Sequence, residues 1–66
     1  MSNKLGNTIR NLRLAKGLTM LELATAVGID KSYVSYLESG TKTNVSLDIL
    51  KKLSQVLQVP LTELIA

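Results

Sequence analysis

The stretch from Thr19 to Gly40 constrains the fold of this chain more than any other part of its sequence. Thr19 and Glu22 stand three residues apart, as in a capping box, which begins a helix. Gly28 ends that helix, because glycine readily adopts the left-handed backbone found there. Asp30 suits the N-cap of a second helix, which Gly40 closes. Two short helices joined by so tight a turn cannot lie antiparallel, so they cross at a large angle as a helix-turn-helix.

Apolar residues within this stretch predict how its two helices pack. Leu23, Ala24 and Val27 form the inward face of the first helix. Val34 and Leu37 fall on one side of the second helix when residues are placed at roughly 100° intervals. We expect the closest approach at Ala24, because a larger side chain there would push the helices apart.

The segments on either side of this stretch predict three further helices. They cover residues 4–16, 47–57 and 61–65. Gly17 ends the first of them, and Gly6 is expected to weaken its first turn slightly. Ser46 is a suitable N-cap for the next, and Pro60 suits the beginning of the last. No segment has the pattern of a strand, so the predicted fold class is all-α, with one domain over residues 1–66.

The outward side of the second helix of the stretch is small and polar. Its members are Lys31, Ser32, Ser35, Tyr36 and Ser39. A DNA major groove admits an α-helix and displays hydrogen-bond donors, acceptors and thymine methyl groups. Serines allow close approach, Lys31 can reach guanine acceptors or a phosphate, and Tyr36 can pack on a thymine methyl. The alternative is a solvated surface, but serine lowers helix propensity and Glu, Lys or Ala would be more usual there. Tyr33 lies at the boundary and is expected to pack.

Contacts to the DNA backbone are expected at two helix N-termini, where backbone N–H groups suit phosphates. Thr19, Lys42, Thr43 and Asn44 lie where such contacts would clamp the two strands. Eight Lys and Arg against five Asp and Glu give a net charge of +3. This excess is compatible with a polyanionic partner but does not by itself demonstrate one.

The 66-residue chain has no cysteine and no histidine. Disulfides and thiolate or imidazole metal sites are therefore excluded, and no metal or other cofactor is expected. The usual catalytic bases and nucleophiles are missing too, so an enzyme is the weakest functional class. The sequence contains no apolar run of about 18 residues for a membrane span and no secretory signal at its N-terminus. A cytoplasmic, nucleoid-associated protein is expected.

Two segments carry a resemblance to a known family: GNTIRNLRLAKGLTMLELATAVGIDKSYVSYLESG and SLDILKKLSQVLQVPLTEL. Together they resemble the helix-turn-helix domains of the phage repressor and Cro family, the xenobiotic-response-element type of bacterial regulators. The resemblance extends from about Leu5 to Ile65. It implies a compact five-helix, lambda-repressor-like fold and DNA binding.

The resemblance also implies roles for matching residues. Base-reading positions match Lys31, Ser32, Ser35 and Tyr36, and backbone-contacting positions match Ser39, Lys42, Thr43 and Asn44. Arg13 and Glu38 match a pair that forms a salt bridge between the first and third helices, and the resemblance also implies that this arginine can reach a phosphate. Met20 departs from the family, because many members carry a DNA-contacting glutamine there. Tyr36 stands where arginine is frequent and Val45 replaces a common proline, so no operator sequence can be transferred.

The last segment, from Leu61 to Ile65, permits two interpretations. In the first, Leu64, Ile65 and Ala66 cap the core. In the second, residues of this segment form an interface with a second copy of the chain, for which the candidates are Leu61, Leu64 and Ile65. The family often dimerises through this region, and a symmetric dimer reads half-sites about one helical turn apart. We therefore expect a homodimer on a double-stranded DNA operator with an inverted repeat. Neither a membrane nor a small-molecule ligand is an expected partner.

The leading functional interpretation is a sequence-specific, double-stranded DNA-binding transcriptional regulator, most simply a repressor that occludes a promoter. Its third helix would lie in the major groove. A protein-interaction module, such as a DNA-binding antitoxin, is one alternative, and the N-terminal domain of a longer regulator is another. Co-purification with the product of a neighbouring gene would favour the interaction module.

Overall fold

A computed structural model of the protein describes residues 3–65, which contain five helices and no strand. The helices are α1 (Lys4–Ala15), α2 (Met20–Val27), α3 (Lys31–Ser39), α4 (Leu47–Leu57) and α5 (Leu61–Ile65). The predicted all-α class is therefore confirmed. The bounds match the predicted ones except at the end of α1, where Lys16 is the capping residue and not the last helical one.

Local sequence explains the ends of the helices in the central stretch. Thr19 Oγ1 accepts a hydrogen bond from the backbone N–H of Glu22 at 3.0 Å, and the Glu22 carboxylate accepts one from the Thr19 N–H at 2.8 Å. Gly28 ends α2 with a φ of +87°, and Gly40 ends α3 with a φ of +82°. Such angles favour glycine, which has no Cβ. Asp30 stands at the predicted N-cap of α3, but its side chain makes no capping hydrogen bond.

Aliphatic side chains from all five helices form the core. Its buried members are Ile9, Leu23, Ala24, Val27, Val34, Leu37, Leu53, Leu57 and Leu64. Helix α3 packs against α1 and α2, whereas α4 packs against α2 and α5, and α5 also packs against α1. Ala24 is 1% exposed, in agreement with the close approach of α2 and α3 that its small side chain permits.

Leu64 on α5 belongs to this core, since its side chain is 3% exposed. The apolar surface of Leu64 is therefore buried against its own chain. This burial favours the interpretation in which Leu64 caps the core, and the interface with a second copy remains a prediction. Ala66, which the same interpretation includes, lies outside the described residues. Leu61 is half-buried and Ile65 is 57% exposed, so these two residues of α5 retain exposed apolar surface.

Gly6 allows α1 to approach the C-terminal end of α3. A Cβ atom at Gly6 would lie 2.2 Å from the carbonyl oxygen of Leu37, a distance at which the backbone would have to shift. Beside it, the Asn3 side-chain amide donates a hydrogen bond to the carbonyl oxygen of Glu38 at 2.8 Å. The expectation that Gly6 only weakens the first turn of α1 therefore missed its role in the contact between α1 and α3.

Candidate nucleic-acid interface

The polar side of α3 faces solvent, as the helical spacing predicted. Four of its members are exposed and one, Ser35, is half-buried. The exposed ones are Lys31, Ser32, Tyr36 and Ser39. Half of the Tyr36 surface is accessible, although the ring is the largest apolar group on this face. The arrangement leaves an amphipathic aromatic side chain, a cation and several hydroxyl groups free to meet a partner.

A buried ion pair fixes α3 relative to α1. Arg13 Nε donates to Glu38 Oε2 at 2.7 Å and its Nη2 donates to Glu38 Oε1 at 3.0 Å. The third nitrogen of the guanidinium, Nη1, donates to the carbonyl oxygen of Leu18 at 2.8 Å. The hydrogen bonds that Arg13 donates to Glu38 raise the pKa of Arg13 above its ordinary value, against the lowering effect of burial. The guanidinium therefore stays charged, and its donors are directed inward.

The segment after α3 is polar and exposed at Lys42, Thr43 and Asn44. Its backbone is attached to the helix because the N–H of Lys42 donates to the carbonyl oxygen of Tyr36 at 3.1 Å. The Lys42 ammonium lies 5.4 Å from the centre of the Tyr33 ring, within the range of a cation–π interaction. The half-buried Tyr33 thus packs as predicted and also holds a lysine, which sequence reasoning missed.

Two other residues proposed to contact the DNA backbone, Ser39 and Thr19, already form hydrogen bonds within the chain. Ser39 Oγ lies 3.3 Å from the carbonyl oxygen of Tyr36, to which it donates, and 2.9 Å from Thr41 Oγ1. The Thr19 hydroxyl oxygen and backbone N–H are both engaged in the capping box with Glu22. The carboxylate therefore already neutralises part of the α2 N-terminus, and what Thr19 can still offer an anion is its hydroxyl hydrogen.

A cleft of about 280 Å³ opens between α1, α2 and α3. Its lining residues are Arg10, Arg13, Met20, Ser35, Glu38 and Ser39. The cleft brings Arg10 of α1 beside two serines of the proposed DNA-reading helix. Sequence reasoning did not single out Arg10. The available signal was its position three residues before Arg13, since residues at that spacing share a helix face.

A family model described as helix-turn-helix matches residues 9–64. The chain belongs to the helix-turn-helix family. The resemblance to Cro and repressor domains that the motifs predicted is confirmed.

Two proteins similar to this helix-turn-helix domain are named as transcriptional regulators. The HTH-type transcriptional regulator SlrR of Bacillus subtilis is 47% identical over 60 residues, which cover 91% of this chain and 40% of SlrR. The HTH-type transcriptional regulator SinR of the same species is 42% identical over 55 residues, which cover 83% of this chain and 50% of SinR. The chain thus matches half of these curated relatives or less.

The fold of this helix-turn-helix domain is similar to that of SinR, the master regulator for biofilm formation, in its crystal structure in complex with DNA. The TM-score is 0.90 at 39% sequence identity, and the match covers 94% of this chain and 98% of that one. This similarity confirms the predicted five-helix architecture, including the position of α3 as the second helix of the motif.

Across residues 3–65, no group of three or more acidic side chains is arranged to hold a metal ion. Within the same range, no helix is both long enough and apolar enough to cross a membrane.

Proposed function

We propose that this helix-turn-helix domain is a sequence-specific, double-stranded DNA-binding transcriptional regulator that acts as a repressor and inserts α3 into the major groove. The observation that carries the proposal is the exposed polar face of α3 on a helix braced from behind by Arg13 and Glu38. Similarity to a SinR structure bound to DNA supports the same class of partner. A repressor of this kind would act in the cytoplasm, associated with the nucleoid.

Base readout in this proposal falls to Lys31, Ser32, Ser35 and Tyr36. Lysine donates to guanine acceptors, and the short hydroxyls of serine both donate and accept at close range. Backbone contacts fall to Thr19, Ser39, Lys42, Thr43 and Asn44. Such contacts fix the register of the domain on the duplex and carry no sequence information themselves.

The proposal includes a homodimer on an inverted repeat. One domain of this size reads few base pairs, and a two-fold dimer doubles the contacts at half-sites about 34 Å apart. The residues offered for the interface are Leu61 and Ile65 of α5. Ile65 is 57% exposed, and this exposed aliphatic residue supports the placement.

A role in protein interaction, such as that of a DNA-binding antitoxin, is the second candidate. Leu14, Leu21 and Leu47 are each more than half exposed, and burial of such aliphatic surface against a partner would be favourable. A DNA-binding domain within a longer regulator is compatible with both candidates.

Selection from a randomised duplex pool tests the DNA proposal. The protein should enrich a defined sequence, and Tyr36→Ala should change or weaken the enriched sequence while the helical circular dichroism is retained. Lys42→Ala should weaken binding to all duplexes alike and reduce the salt slope by about one unit for each bound protomer. Failure to enrich any sequence would contradict DNA recognition, and an unchanged preference with Tyr36→Ala would contradict base contact by that residue.

A further inference from the structure

One positively charged side chain that lines the cleft between α1, α2 and α3 is not among the residues proposed to contact DNA. This residue, Arg10, is exposed on α1 and lines the cleft together with Ser35 and Ser39 of α3. Because both serines belong to the proposed interface, the cleft opens beside the surface that would meet DNA. Its volume of about 280 Å³ is large enough for a phosphate group.

Arg10 determines the charge of this cleft. Of the other charged residues that line it, Arg13 and Glu38 neutralise each other and point their hydrogen-bonding atoms inward. Arg10 has no carboxylate within ion-pair distance among residues 3–65, where the sole salt bridge is the Arg13–Glu38 pair. The cleft therefore carries one positive charge whose guanidinium donors remain available.

Because Met20 stands at the beginning of α2, anion binding beside this helix end depends more on Arg10. A thioether sulfur accepts weakly and donates nothing, so Met20 cannot hydrogen-bond an anion at the N-terminus of α2. The carboxylate of Glu22 already occupies the backbone N–H of Thr19, which weakens the attraction of this helix end for a second anion. Helix α1 supplies a full positive charge, Arg10, in the same cleft.

We infer that the cleft receives a phosphate of the DNA backbone and that Arg10 is the residue that binds it. Guanidinium presents two parallel N–H donors that match two phosphate oxygens. The inference rests on the proposed DNA-binding function, and it adds α1 as a third element, besides α3 and the following loop, that contacts the duplex.

Two variants that each remove one positive charge test the inference. Arg10→Gln removes the proposed phosphate contact. Lys16→Gln is the matched control, since Lys16 lies outside the cleft and its ammonium bonds to Gln58 at the C-terminal end of α4. Binding is measured as a salt series on a duplex that the wild-type protein selects from a randomised pool, after circular dichroism has shown that both variants fold.

For each half-site bound, Arg10→Gln is expected to weaken binding roughly tenfold, as for loss of a charge-assisted hydrogen bond, and to reduce the salt slope by about 0.9. Lys16→Gln should change affinity less than about twofold, and Arg10→Lys should retain the slope but not the full affinity. Equal losses with Arg10→Gln and Lys16→Gln would overturn the inference, because net charge alone would then account for them.

Neutral methylphosphonate linkages introduced one at a time into the selected duplex locate the contact. At one linkage per half-site, the modification should reduce the difference between wild type and Arg10→Gln, and modification of both symmetric linkages should abolish it, whereas the difference should persist in full at the others. A difference that persists at every linkage would also overturn the inference. If the wild-type protein selects no duplex, the proposed function itself fails. This outcome differs from the two that overturn only the role of Arg10.

Discussion

Arg13 and Glu38 join α1 to the C-terminal part of α3 through two hydrogen bonds, at 2.7 and 3.0 Å, and only 9% and 4% of their side chains are exposed. The pair lies behind the polar face of α3, so the angle at which that helix is presented depends on it. Because both groups are charged and buried, removal of either one leaves the other without a partner in a poorly solvated place.

Glu38→Ala should therefore lower the free energy of unfolding by about 3 kcal/mol or more. A domain of this length has a total stability of only about 3–10 kcal/mol, so the variant is expected to be close to unfolding. The double variant Arg13→Met, Glu38→Leu leaves no stranded charge and should lose less. Urea denaturation followed by circular dichroism measures both, and a double variant no more stable than Glu38→Ala would contradict a role based on charge pairing.

Gly6→Ala should destabilise the domain, although the same change in an ordinary helix interior stabilises it by about 0.5–1 kcal/mol. The added Cβ would lie 2.2 Å from the Leu37 carbonyl oxygen, and relief of that overlap is expected to cost about 1–3 kcal/mol. Asn7→Ala, at an exposed position of α1, is the control for helix propensity. A melting temperature raised by Gly6→Ala would show that α1 and α3 do not approach so closely.

Removal of the Tyr33 ring should weaken DNA binding, because the ring helps to hold Lys42, a proposed contact to the DNA backbone. The ring centre lies 5.4 Å from the Lys42 ammonium, and a cation–π contact of about 0.5–1 kcal/mol corresponds to a two- to fivefold change in affinity. Tyr33→Phe keeps the ring and should bind nearly as the wild type does, whereas Tyr33→Leu should bind more weakly. In a Lys42→Ala background, Tyr33→Leu should not lower the affinity further. A loss of affinity there as large as in the wild-type background would show that Tyr33 does not act by holding Lys42.

Glu22→Gln should strengthen DNA binding by a few-fold and steepen its salt dependence. The amide oxygen of glutamine can still accept from the Thr19 N–H, so the capping box persists, but a negative charge beside the proposed phosphate contact at Thr19 is removed. Stability should fall by about 0.3–1 kcal/mol, because an acidic group favours a helix N-terminus. Fluorescence anisotropy with a labelled duplex measures the affinity, and unchanged binding would argue that DNA does not approach the α2 N-terminus.

The helices were predictable because their signals are local. The capping box at Thr19, the glycines at the ends of α2 and α3, and the apolar spacing within each helix all act over a few residues. The boundaries therefore agreed almost everywhere, and Lys16 differed by a single residue at a fraying helix end. The polar face of α3 was predictable for the same reason, because helical periodicity determines which residues point outward.

Contacts between residues distant in sequence were not predictable from the residues alone. Asn3 bonds to the backbone 35 residues away, and the overlap that excludes a side chain at Gly6 comes from Leu37. Such contacts depend on the crossing geometry of α1 and α3, which no local pattern encodes. The same applies to Leu64, whose burial depends on how α5 docks, and to Arg10, which joins the cleft only once three helices meet.

Titration of the protein against fragments of genomic DNA at increasing salt, from about 50 to 200 mM, tests the central claim most directly. Non-specific binding should weaken steeply over this range, while a small subset of fragments stays bound because base contacts add to the phosphate contacts. We predict that this subset shares an inverted repeat. Uniform loss of all fragments as salt rises would contradict sequence-specific recognition by α3.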